Sequence, residues 1–376
     1  MIKSKFWVKI FVGVILFIVF FVSVVNYIVD PYNLYKTNLY KTKPKLVNQM
    51  RLVKLSQVRD IKPKSVILGT SRADLAMDPT HKYFTKPSYN LSNSGATMYE
   101  TKFYVKDIVK QKNLESILLV LDWRMFNDEK MKKTEDFESY FNFFNPYKFL
   151  LNYTTFKDSI YTLKNQNTQN IYFDNGLMND SHMASYVIKE GGHLKLMKKE
   201  ERFYYSIFSL DNTYKDTGKN SFDDFKEILQ LCYKNNIKLN IIFGPSHIRQ
   251  WESFDYHIGY NVFVKWKRDV VFFVEKIAKE ENKEPFKIVD FSVYHELTAE
   301  EVPKDNKQIM KYHWESSHYK KELGNIVLDR LLGISSYKDF GTEINIQNID
   351  EHIIKLKEDR SKFIDTMDYR KQLFEE

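Results

Sequence analysis

From Ile10 to Val29 the chain runs IFVGVILFIVFFVSVVNYIV, without a single charged side chain. A helix needs about 20 such residues to cross roughly 30 Å of hydrocarbon, and this run has that length. Lys3, Lys5 and Lys9 precede it and Asp30 ends it. Three lysines directly before the span, with Asp30 directly after it, place residues 1–9 in the cytoplasm and everything after the span outside. A cleaved leader would have a shorter apolar region and a small-x-small site near its end. Asn26-Tyr27-Ile28-Val29-Asp30 offers none, so the span reads as an uncleaved anchor.

The remaining chain is long enough to bury a core without staples: the whole sequence has 376 residues. Its single cysteine, Cys232, sits at an apolar position beside Leu229 and Leu231, which excludes an intrachain disulfide framework and reads as a buried, inert thiol. The net charge is +8, but 57 basic residues are interspersed with 49 acidic ones and form no dense block. That pattern is a solvated surface rather than a nucleic-acid footprint.

Apolar, β-branched runs then alternate with helical patterns. Strands are expected at Ser65–Leu68, Tyr89–Leu91, Ser116–Leu121, Lys238–Phe243 and Lys287–Phe291. Helices are expected at Tyr99–Lys110, Phe222–Lys234, Val262–Lys279, Tyr319–Leu332 and Gln347–Phe363. Strands that do not alternate polar with apolar, interleaved with helices, imply an α/β fold with a three-layer, doubly wound parallel sheet. Between residues 128 and 220 the strand rhythm gives way to aromatic, Asn-rich, helical sequence, read as an insertion over the strand ends. The expected organisation is therefore a span at 10–29, a stem at 30–60, a sheet domain at 61–335 carrying that insertion, and a C-terminal helical extension at 336–376.

Two short blocks carry the chemistry. The first is Gly69-Thr70-Ser71-Arg72, directly after an apolar strand. Sites in open α/β sheets form outside the carboxyl ends of the strands, where Ser71 lies. A serine hydroxyl needs a base, and the base an orienting acid. The second block, Glu315-Ser316-Ser317-His318, precedes the last helix of the sheet domain. A carboxylate three residues before His318 can reach its ring and leave the other nitrogen for a serine. The competing reading is that Ser316 and Ser317 cap that helix and His318 is a surface residue. Arg72 either binds an anionic substrate or pairs with Asp74 or Asp122. His247 follows the strand Lys238–Phe243 through Gly244-Pro245-Ser246 and is expected to line the substrate cleft. His247, His313 and His318 match no zinc-ligand spacing, so no metal and no cofactor is expected.

Together the two blocks resemble the SGNH/GDSL hydrolase superfamily, whose first block is a strand followed by Gly-x-Ser and whose last is Asp-x-x-His before the final helix. The resemblance covers roughly residues 62–335, with Glu315 in place of the usual Asp. It implies a flavodoxin-like fold and a triad of Ser71, His318 and Glu315. It also implies an oxyanion hole from the backbone N–H groups of Ser71 and of Gly95, within Tyr89-Asn90-Leu91-Ser92-Asn93-Ser94-Gly95-Ala96. The family's third block supplies an Asn donor. Here the matching strand ends Val120-Leu121-Asp122-Trp123-Arg124, so that donor is absent and Asn93 is the substitute within reach; Asn93 and Asp122 are thus candidate substrate contacts. The chain is most similar to the membrane-anchored branch that includes alginate acetylation proteins and the teichoic-acid D-alanyl transfer protein, which also carries Asp-Pro after its span, as in Asp30-Pro31. That branch implies O-acetylation of a cell-surface or exported polysaccharide, working with a multi-pass membrane acyltransferase. An esterase or deacetylase would use the same triad, and a non-catalytic glycan-binding subunit is the alternative from another class. The aromatic insertion suits carbohydrate stacking in each case.

Overall fold

A computed structural model describes residues 2–142, 145–202 and 207–365. The chain divides into two compact units, one made of residues 1–60 and 136–173, the other of residues 61–135 and 174–376. The first part of the 128–220 stretch is thereby split: residues 136–173 group with the N-terminal segment, and the flanking parts with the sheet.

The sheet unit is α/β. Its strands are β1 (Ser65–Leu68), β2 (Ser88–Asn90), β3 (Ser116–Leu121), β4 (Lys238–Phe243), β5 (Ile288–Asp290) and β6 (Thr342–Ile344). They are ordered β2-β1-β3-β4-β5-β6. Strands β1 to β5 are parallel, and β6 joins β5 antiparallel, with Ile288 opposite Ile344. The five expected strands are present, with β2 shifted one residue toward the N-terminus and β5 one residue shorter at each end. The sheet is mixed rather than wholly parallel, because a sixth strand closes one edge. Chain direction across the sheet reverses between β1 and β3, the kind of crevice in which open α/β sheets place ligands.

Alternation along each strand separates two packing surfaces. Ile67, Leu118, Val120, Ile242 and Val289 join Tyr319, Leu323, Val327 and Leu328 in one buried cluster. Phe243, next to Ile242, turns instead to Trp266, whose ring lies 4.9 Å away. Burying each of these large apolar side chains contributes on the order of 1.5–3 kcal/mol. Helix Lys321–Leu331 sits tightly on helix Ser71–Ala76: a Cβ on Gly324 would lie 2.1 Å from the Ala76 carbonyl oxygen. At the end of β5, Asp290 takes Lys267 Nζ at 2.7 Å and His352 Nε2 at 2.9 Å, which ties helix Ile349–Asp365 to the sheet.

The other unit begins with helix Ile2–Val29, long and apolar enough to cross a membrane. Its end follows from Asp30-Pro31. Proline disfavours helical geometry in the residue before it, and Asp30 adopts the left-handed conformation at φ 48°. The Asp30 carboxylate then accepts the N–H of Leu34 at 2.7 Å and of Tyr35 at 3.0 Å. Lys43 Nζ caps the freed carbonyls of Val29 at 2.8 Å and Asp30 at 2.7 Å. Helix Tyr153–Lys164 packs alongside the last turns of the apolar helix.

Candidate active site

Strand β1 ends in a turn that only glycine fits: a Cβ on Gly69 would lie 2.8 Å from Ala73 Cβ and 3.0 Å from the Val120 carbonyl oxygen. The chain enters helix Ser71–Ala76 immediately, with Thr70 as its N-cap. Ser71 is thus held at the carboxyl end of β1, beside β3, 9% exposed.

Ser71 Oγ lies 2.7 Å from His318 Nε2. The other ring nitrogen of His318, Nδ1, contacts Glu315 Oε1 at short hydrogen-bonding range. A carboxylate accepts only, so Nδ1 carries the proton and Nε2 is left to accept from the serine hydroxyl. Glu315 also accepts the N–H of Ser317 at 2.9 Å, the N–H of His318 at 2.8 Å and the Ser317 hydroxyl at 2.7 Å. Burial works to raise its pKa, but the neighbouring His318 and these donors outweigh it and hold the carboxyl down at about 2. The His318 side chain is 27% exposed and that of Glu315 6%, so the relay runs from a partly open imidazole to a buried carboxylate.

The serines do not cap the last helix. Its N-cap is Lys320, with no side-chain cap bond, and Tyr319 forms an isolated bridge with His313 instead of starting the helix. Ser317 is bonded to Glu315, and Ser316 Oγ donates to Glu201 Oε1.

Arg72 pairs with Asp122, Nη1 to Oδ1 at 3.2 Å. Asp122 also accepts Thr70 Oγ1 at 3.1 Å and the Arg124 N–H at 3.2 Å, so it braces the turn that carries Ser71 as an acceptor. Asn93 reaches the same turn through its backbone, N–H to the Gly69 carbonyl at 3.1 Å. Its side-chain amide donates to Leu91 O at 2.9 Å, and its Oδ1 is buried without a hydrogen-bond partner. Gly95 has φ +62°, and a Cβ there would sit 3.4 Å from Lys133 Cε and 3.6 Å from Arg124 Nη2.

His247 does not line a cleft. It is fully buried. Its Nδ1 accepts the Arg249 N–H at 3.2 Å and its Nε2 donates to the Glu300 carbonyl at 2.8 Å, which uses both ring nitrogens. Burial, then the nearby His313, pushes its pKa well below the usual histidine value. Its backbone N–H donates to the Ser316 carbonyl at 3.0 Å, so its part is to hold the loop that carries Glu315 and His318.

Other supports of that loop have no sequence signature. Glu201, at the end of helix His193–Glu201, and Arg249, in helix Ile248–His257, form a buried pair: Nε to Oε1 at 2.9 Å and Nη2 to Oε2 at 2.7 Å. The same carboxylate receives Ser316 Oγ. His193 Nδ1 donates to the Trp314 carbonyl at 3.1 Å while its Nε2 accepts the Met310 N–H at 2.9 Å. These contacts join positions separated by 48 to 121 residues, beyond any local pattern.

No protein-family model matches the chain, and no curated protein matches it.

Proposed function

We propose that the chain is a membrane-anchored, extracytoplasmic serine acyltransferase of SGNH type, which O-acetylates a cell-surface or exported polysaccharide. The observation that carries this reading is the relay Ser71–His318–Glu315, assembled from two blocks 247 residues apart, with the tautomer of His318 set by a buried, ionised carboxylate. The strand order and the parallel β1–β5 core support a doubly wound, flavodoxin-like SGNH fold. The apolar helix Ile2–Val29 supports an anchor, and the lysines before it a cytoplasmic N-terminus.

In this mechanism His318 Nε2 takes the proton from Ser71 Oγ as the oxygen attacks the acyl carbonyl. Glu315 stabilises the imidazolium and stays ionised. Backbone N–H groups of Ser71 and Gly95 hold the oxyanion, each donor being worth about 3 kcal/mol. The tetrahedral adduct collapses, and His318 returns the proton to the departing group. A glycan hydroxyl then gives its proton to His318 as it attacks acyl-Ser71, and when the acyl–Oγ bond breaks His318 passes that proton to Ser71 Oγ, releasing the acylated glycan and restoring the serine. The glycan is the acceptor, and a multi-pass membrane acyltransferase that brings the acyl group across the bilayer is the fitting donor partner.

The test is acetyl-ester turnover by the full chain in detergent micelles, with and without an envelope polysaccharide. Acetyl appearing on the glycan at the expense of free acetate supports transfer. Free acetate at an unchanged rate with glycan present means that water is the acceptor and the protein an esterase.

A further inference from the structure

Helix Tyr153–Lys164 is amphipathic in the reverse of the usual sense. Its buried face is polar or small: Thr155, Asp158, Ser159 and Thr162, at helical spacing. Its outward face carries Tyr153, 72% exposed, Tyr161, 42%, and Leu163, 37%, among the exposed Thr154, Lys157 and Lys164, with Leu151 at 61% just before it. In water the apolar stripe of a helix faces inward. Aromatic and aliphatic side chains outside, between lysines, over a polar, bonded interior suit a helix at a lipid interface, where small and polar residues make the helix–helix contact and lysines reach the headgroups.

The inward contacts show which neighbour it has. Ser159 Oγ donates to Asn26 Oδ1 at 3.0 Å, and Asn26 Nδ2 donates to the Leu150 carbonyl at 2.9 Å. The Phe156 and Phe21 rings lie 6.3 Å apart. Asp158 is satisfied by the Tyr32 hydroxyl at 2.6 Å and by Asn48 Nδ2 at 2.9 Å. Phe21 and Asn26 belong to the uncharged run Ile10–Val29. At 1.5 Å per residue, Phe21 lies about 12 Å inside its outer end, so a helix packed at this level sits within the boundary of the bilayer, at a depth close to that of interfacial helices. Lys45 Nζ lies 4.3 Å from the Tyr161 ring centroid and Lys157 Nζ 5.0 Å from that of Tyr153, which matches lysines and tyrosines at the headgroup level.

We infer that helix Tyr153–Lys164 is a second membrane contact: it lies in the outer interface beside the spanning helix, and lipid covers Tyr153, Tyr161 and Leu163. This rests on the reading of Ile10–Val29 as the span. The two are separated by site-specific fluorescence on the full chain in phosphatidylcholine–phosphatidylglycerol vesicles. Cysteines replacing Phe17, Tyr161 and Leu163, one at a time, are labelled with an environment-sensitive dye. Cys232 does not compete, because it is buried and burial pushes its thiol up to about 12. A dye at position 17 quenched by deep doxyl-lipids reports the span. Dyes at 161 and 163 are expected to lose about half their emission or more to doxyl groups placed just below the headgroups, the depth of an interfacial helix. Position 17 quenched, with 161 and 163 open to aqueous iodide, overturns the second contact and leaves the span. Dyes at 161 and 163 shielded from both iodide and doxyl-lipid mean that protein covers the face, which also overturns it. An unquenched position 17 removes the span and the inference together.

Discussion

Glu201 and Arg249 form a buried bidentate pair, and the carboxylate that binds Arg249 also receives the hydroxyl of Ser316, two residues before His318. Burial pushes the Glu201 carboxyl upward against the pull of Arg249. Breaking one partner of such a pair typically costs 3–5 kcal/mol, whereas replacing both with apolar groups of similar volume is often close to neutral. Arg249→Met alone is therefore expected to lower thermal stability strongly, and Glu201→Met with Arg249→Met to recover much of the loss. Melting of the single and double variants checks this; equal losses in both would show that the pair is not coupled.

Much of this arrangement was legible in the residues, and the rest was not for physical reasons. Strands β1 and β3 are near-continuous apolar runs, and β4 becomes one at Ile241-Ile242-Phe243, because both faces are buried there, and such runs are visible locally. The Gly69-Thr70-Ser71 and Glu315–His318 blocks are local too, and the structure brings Ser71 and His318 together. Strand β6 escapes notice because Thr342–Ile344 is a short edge strand with an exposed glutamate at its centre. The burial of His247 depends on the Glu300 carbonyl 53 residues away, and the grouping of residues 136–173 with the N-terminal segment depends on Asn26 meeting Leu150 and Ser159. Neither contact leaves a period in the sequence.

Glu315→Gln separates orientation from structure. The amide preserves volume but no longer selects the tautomer in which Nδ1 carries the proton, and the imidazolium loses its counter-charge. Turnover is expected to fall by about 10⁴-fold, as for an Asp-to-Asn change in a serine triad. Acyl-ester kinetics beside a melting curve measure it; unchanged turnover in a folded variant would remove Glu315 from the relay.

Acid is expected to weaken the sheet unit before it weakens the chemistry of the carboxylate. Burial lowers the pKa of His193, His247 and His313, all of which support the loop carrying His318. Below the unfolded value of 6.5 the unfolded chain takes up protons that the folded chain refuses, so stability falls as pH drops, by at most about 1.4 kcal/mol per pH unit for each group. Glu315 adds a loss that starts near its unfolded value of 4.5 and is complete near 2. Glu201, whose carboxyl is raised, acts in the opposite sense. Denaturant melts from pH 7 to 5 are expected to show falling stability, with a shallower slope in His193→Gln, whose amide can serve both the Trp314 carbonyl and the Met310 N–H. A flat wild-type profile would contradict the assignment of buried neutral histidines.

The most direct measurement is covalent capture of Ser71. The full chain in detergent micelles is treated with a fluorophosphonate, which reacts with a serine only when a base activates it, and the adduct is located by peptide mass spectrometry. The account predicts one adduct on Ser71, absent in Ser71→Ala and strongly slowed in His318→Ala. A folded wild-type protein that stays unlabelled at Ser71, or that labels equally fast without His318, would contradict it.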